Sequence, residues 1–118
     1  MERWPGGMAG SGLMAQFDIY ANPNPATRTT VPFVVDVQSG LIDQLPTRLV
    51  MPLSRVGAGQ SRLPVNLCPS VEVNGEALRL MPHLAAAIDK RLLHSPVLSI
   101  VHRASEVGSA LDAVLSGI

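Results

Sequence analysis

Hydrophobic and polar positions alternate with a period of two in several short stretches, and the period turns helical only near the end of the chain. In QFDIY, Gln16–Tyr20, Phe17 and Ile19 fall on one side, which predicts a strand. FVVDVQS, Phe33–Ser39, is rich in β-branched residues. Phe33, Val35 and Val37 share one face, and Val34, Asp36 and Gln38 share the other. RLVMPL, Arg48–Leu53, reads as a further short strand stopped by Pro52. The intervening ANPNPATRTTVP contains Pro23, Pro25 and Pro32 and predicts a loop or a frayed hairpin tip. RVGAGQSRLP, Arg55–Pro64, with Gly57 and Gly59, predicts a mobile loop.

The sharpest local signal is SVEVNGEALRL, Ser70–Leu80. Val71 and Val73 alternate into Asn74-Gly75, and Leu78 and Leu80 alternate out. Asn-Gly accepts the positive φ angles of a type I′ turn, so a two-residue β-hairpin is expected. HLAAAID, His83–Asp89, is Ala-rich and follows Pro82, which predicts one or two helical turns. PVLSIV, Pro96–Val101, reads as a last strand. From Ser105 the apolar positions Val107, Leu111, Val114, Leu115 and Ile118 form the stripe of an amphipathic helix. Ser105 is placed to cap its start and Gly117 to break its end. The whole pattern predicts a mostly β chain with a small helical part, closed into a compact barrel.

Composition narrows this picture. The 118 residues suit one domain, and 47% hydrophobic against 15% charged residues is the balance of a chain that folds. Aromatic residues make up only 3%, so the core must be aliphatic. Nine basic and nine acidic residues cancel, which argues against a broadly basic nucleic-acid surface. The single Cys68 cannot form a disulfide within the chain and reads as a small buried hydrophobe. No apolar run is long enough to span a bilayer. Residues 1–13 read as a flexible leader, a tag or an early start codon, and residues 14–118 as the domain.

Chemistry-bearing constellations are scarce. His83, His94 and His102 lack metal-site spacing, and one Cys cannot complete a zinc site. No phosphate-binding loop or nucleophile elbow is present. Asp36, Asp43 and Asp112 are candidate acids, but nothing in the sequence pairs them. The residues alone therefore point to a binding domain that needs no cofactor. One end remains open to two readings: LDAVLSGI either finishes the packing or presents an apolar terminus to a partner.

AQFDIY, the run FVVDVQSGLIDQLPTRLVMPL over Phe33–Leu53, and the terminal LSGI together resemble the CcdB family of plasmid-maintenance toxins. The resemblance extends from about Gln16 to Ile118. It implies an SH3-like β-barrel with a small β wing and a C-terminal helix, working as a homodimer. Members of the family are not enzymes. They poison DNA gyrase by lodging between its A subunits and trapping the cleaved DNA. A CcdA-type antitoxin neutralises them with a segment that folds on binding, and the pair represses its own operon. The antitoxin supplies the DNA contact, so no direct DNA binding is expected of this chain alone. The single cysteine suits a reducing cytosol and no apolar run is long enough for a membrane, so a cytoplasmic protein with no membrane association is expected.

Carried over residue by residue, the gyrase-binding surface comprises Leu41 and Ile42, then Asp112 on the helix, then Ser116, Gly117 and Ile118. At Ser116 the best-known member has Trp, which stacks on an arginine of gyrase, and at Asp112 it has Asn. Without an aromatic at 116, a cation–π contribution of roughly 0.5–2 kcal/mol is missing. That departure motivates a second reading, a non-toxic homologue that keeps antitoxin binding and autoregulation. A third is an endoribonuclease, because toxins of the MazF and Kid kind share this barrel. It ranks last, since no clustered Arg with His, Asp or Thr can be pointed to.

Overall fold

The structure, a computed structural model, describes residues 15–40, 44–55 and 67–116. The leader, Leu41, Ile42, Asp43, most of the Arg55–Pro64 loop, Gly117 and Ile118 lie outside the described residues.

Seven strands form one sheet among the described residues. They are β1 (Asp18–Ala21), β2 (Phe33–Asp36), β3 (Thr47–Arg55), β4 (Ser70–Val73), β5 (Glu76–Leu80), β6 (Ala86–Asp89) and β7 (Leu98–Ser99). Six follow the order β4-β5-β3-β2-β1-β7, and β6 pairs beside β5 on the same edge of the long β3. Every pairing is antiparallel. The path curls into a nearly closed barrel, and one helix, α1 (Ala104–Ser116), follows it. This is the SH3-like barrel with a C-terminal helix that the residues resemble.

Register explains which residues are inside. Ile19 pairs with Val35, and Val35 with Met51, so their side chains point to one face, and all three are fully buried. Val71, Val73, Leu78 and Leu80 join them from the β4–β5 hairpin, and Ile100 and Val107 from the C-terminal segment. Each such aliphatic side chain contributes about 1.5–3 kcal/mol by leaving water. The turn of that hairpin is the expected one, with Asn74 at φ 52 and Gly75 at φ 83. The opposite sheet face is also covered. Tyr20, Val34, Val50 and Leu93 form a second, smaller cluster there.

Several local expectations are corrected. Pro52 does not stop β3, which runs on to Arg55. Val37 N–H donates to Leu49 O, so the antiparallel alternation turns the backbone of residue 52 away from β2. On that other side β3 changes partner, from β6 over Thr47–Val50 to β5 over Leu53–Arg55. A proline there removes no ladder bond, and its carbonyl still accepts from Met81 N–H at 3.0 Å. The expected helix at His83–Asp89 is a single 3-10 turn, Pro82–Leu84, followed by β6. Pairing with Thr47–Val50 overrides the helical preference of Ala86 and Ala87.

The last strand is only Leu98–Ser99, because a 3-10 turn begins at Val101 and leads straight into α1. Ser105 therefore lies inside the helix and does not cap it. The hydroxyl at this entry is that of Ser99, which accepts from Val101 N–H at 3.2 Å. The docked face of α1 differs as well: Val107 and Ala110 are buried, whereas Leu115 is 76% exposed. The expected loop at 22–32 is organised. Buried Asn22 donates to Thr27 Oγ1 and Val31 O at 2.9 and 2.8 Å and accepts from Asn24 N–H at 3.0 Å.

Candidate functional site

α1 ends in an exposed turn. Its first half is fixed by Val107 and Ala110, and it packs against the 3-10 turn Pro82–Leu84. Arg103 and Glu106 form an ion pair at 2.8 Å at its start. Beyond Ala110 burial falls away, and Asp112, Leu115 and Ser116 face solvent. Asp112 and Ser116 are one turn apart, and Ser116 Oγ donates to the Asp112 carbonyl at 2.7 Å. The structure thus brings these two expected site residues together on one helical face. Leu41, Ile42, Gly117 and Ile118 lie outside the described residues. Leu115, assigned by its spacing to the docking stripe, belongs instead to this exposed end.

The candidate acids separate. Asp36 is neither unpaired nor accessible. It is fully buried, and Arg48, 1% exposed, donates to its Oδ2 from Nε at 2.8 Å. Gln38 N–H donates to Oδ1 at 3.0 Å. Arg48 also donates to Gln38 O at 3.2 Å, and the Gln38 side chain accepts from Leu49 N–H at 3.0 Å. Burial pushes the Asp36 carboxyl above its usual range, while the Gln38 N–H and the Arg48 guanidinium pull it back. This arrangement can bear structure but cannot exchange protons with a substrate. It clamps the end of β2, immediately before the segment that carries Leu41 and Ile42.

Cys68 is buried, and burial pushes its thiol up, away from reactivity. His83, His94 and His102 are exposed. Among the described residues no group of three or more His, Cys, Asp or Glu could hold a metal ion, and no helix is long and apolar enough to cross a membrane.

The sequence reading missed an apolar groove on the outer sheet face. A cavity of about 350 Å³ is floored by Val34, Val50 and Ile88 and walled by Pro23, Pro25 and Leu92. A neighbouring cavity of about 240 Å³ shares the same floor. The signal was present in Val34, an apolar residue that alternation places with Asp36 and Gln38, and in Val50, two positions from Arg48.

A family model described as CcdB protein matches residues 16–117. The match spans the barrel and the helix alike, and the barrel-plus-helix architecture agrees with it. The chain therefore belongs to the CcdB family, the toxins of toxin–antitoxin pairs.

Proposed function

We propose that this toxin acts by binding the A subunits of DNA gyrase and trapping the enzyme on cleaved DNA. The observation that carries the reading is the end of α1: a helix anchored to the barrel by Val107 and Ala110 whose last turn offers Asp112, Leu115 and Ser116 to solvent. These are the positions, or neighbours of the positions, that the family resemblance assigns to the target. Leu41, Ile42, Gly117 and Ile118 complete the surface. The toxin works as a cytoplasmic homodimer, without catalysis or cofactor. A CcdA-type antitoxin neutralises it and supplies the DNA contact through which the pair represses its operon.

The reading is tested by titrating the purified protein into a gyrase A dimer and measuring affinity by calorimetry. Saturable binding supports it. No binding at concentrations that saturate other gyrase ligands overturns it. The second reading, a non-toxic homologue, draws support from Ser116, whose hydroxyl is engaged with its own helix and offers no aromatic face. It expects antitoxin binding without gyrase binding.

A further inference from the structure

We propose that residues 1–14 fold back over the outer sheet face and seat Trp4 in the apolar groove floored by Val34, Val50 and Ile88. The inference is independent of the gyrase reading. The cavity holds about 350 Å³. That is the low end of small-molecule pockets, which run from about 300 to 1,000 Å³, so it takes one ring system and not a helix or a strand. Leu92 at its wall is 50% exposed, and Leu84, lining the adjoining cavity, is 56% exposed. Contiguous apolar surface of this kind marks a place where something docks.

The path of the chain says what can reach it. Ala15 opens a turn closed by Asp18 N–H to Ala15 O at 3.1 Å, with Phe17 at φ 74. Such a turn reverses the chain just ahead of β1 and directs the preceding segment back along it, toward Asn22. That segment cannot join the sheet there, because β1 is paired on both sides, with β2 and with β7. The inner face is closed by Ile19, Val35 and Met51, all fully buried. Along β1 the outer face remains, and Asn22 and Pro23, which follow β1 directly, line the groove. The four residues of β1 span about 13 Å. Trp4 precedes Ala15 by 11 positions. A Gly-containing chain of that length has an r.m.s. span of about 17–20 Å, so the tether suits the distance. Tethering at this range gives an effective concentration near millimolar, and even a weak pocket then fills. Of the side chains in the leader, Trp4 has the most apolar area to bury, about 150–250 Å². Its Nε1–H needs an acceptor, and Asn24 at the border supplies a side-chain oxygen with a second lone pair beyond the bond from Ala26 N–H.

Trp4 is the only tryptophan, so its fluorescence in the full chain reports docking directly. It should emit to the blue of the same residue in a free peptide of residues 1–14, and acrylamide should quench it several-fold less. Leu92→Glu puts a charge into the groove wall at a half-exposed position. It should return both readings to those of the peptide while circular dichroism stays unchanged. Val101→Glu, exposed and outside the groove, should leave both readings as in the parent. Trp4→Ala opens the groove, so the full chain should then bind the apolar dye anilinonaphthalene sulfonate several-fold more than the parent does. A Trp4 spectrum equal to that of the free peptide overturns the inference. So does a blue shift that survives Leu92→Glu, since the ring is then buried elsewhere. A shift lost on dilution overturns it as well, since a second copy then covers the ring. None of these failures touches the gyrase reading.

Discussion

Arg48 Nε meets Asp36 Oδ2 at 2.8 Å with both side chains shielded from solvent. The pair joins the end of β2 to the start of β3, and through Gln38 it also fixes the backbone that leaves β2. A buried pair of this kind stabilises little against an apolar replacement of both partners, but removing one partner strands a charge. Arg48→Met is therefore expected to cost about 3–5 kcal/mol in urea denaturation. Combining it with Asp36→Leu should recover most of that loss. A single replacement costing under about 1 kcal/mol would show that the pair is not buried as described.

Tyr20 makes a pH prediction that absorbance can follow directly, because it is the only tyrosine. Burial, reinforced by the nearby negative charges of Asp18 and Asp36, pushes its hydroxyl from 10.0 up to about 12. The folded state thus holds the phenol neutral where the unfolded state would ionise it. Its contribution to stability is fully present below pH 10.0 and is lost as pH rises through about 12. The urea midpoint should fall over that window in step with tyrosinate absorbance. Ionisation near pH 10.0 with no loss of stability would contradict the buried placement.

Gly75 sits at φ 83, where L side chains are strained, although nothing crowds its Cβ position. Gly75→Ala is expected to cost about 1–2 kcal/mol, from backbone strain alone. Replacing Asn74 with Gly, at φ 52, should be near neutral. Equal costs at both positions would argue against the two-residue turn.

Ser116 is where the resemblance implies an aromatic ring. Ser116→Trp is expected to tighten gyrase binding by about 0.5–2 kcal/mol if the ring can stack on a cation of the target. Stability should change little, because position 116 is exposed. Unchanged affinity would mean that the turn is read by the target in another way.

What could be read without coordinates was local. Asn74-Gly75 specified its hairpin, since the turn depends on those two residues and the alternation around them. Strands form at Asp18–Ala21 and Phe33–Asp36, but Phe17 sits in a turn at φ 74, and burial runs without alternation through Val34, Val35 and Asp36 because both faces of the sheet are covered. Failures came where a distant segment decides. Ala86–Asp89 is a strand only because β3 lies alongside it. Pro52 is tolerated only because β3 exchanges neighbours there. Asp36 and Arg48 are 12 positions apart and declare no partnership in sequence. Helical spacing places Leu115 with Leu111, but Leu111 is half-buried whereas Leu115 is 76% exposed. At the candidate site, Asp112 and Ser116 came from family resemblance, and their shared exposed turn is the structure's contribution.

The most direct measurement is the yield of cleaved DNA when purified gyrase, supercoiled plasmid and this protein are combined, with the full chain compared against a chain ending at Leu115. The account expects cleavage complexes to accumulate with the full chain and not with the shortened one, while the two melt at nearly the same temperature. Equal yields from both, or none from the full chain at saturating concentration, would contradict it.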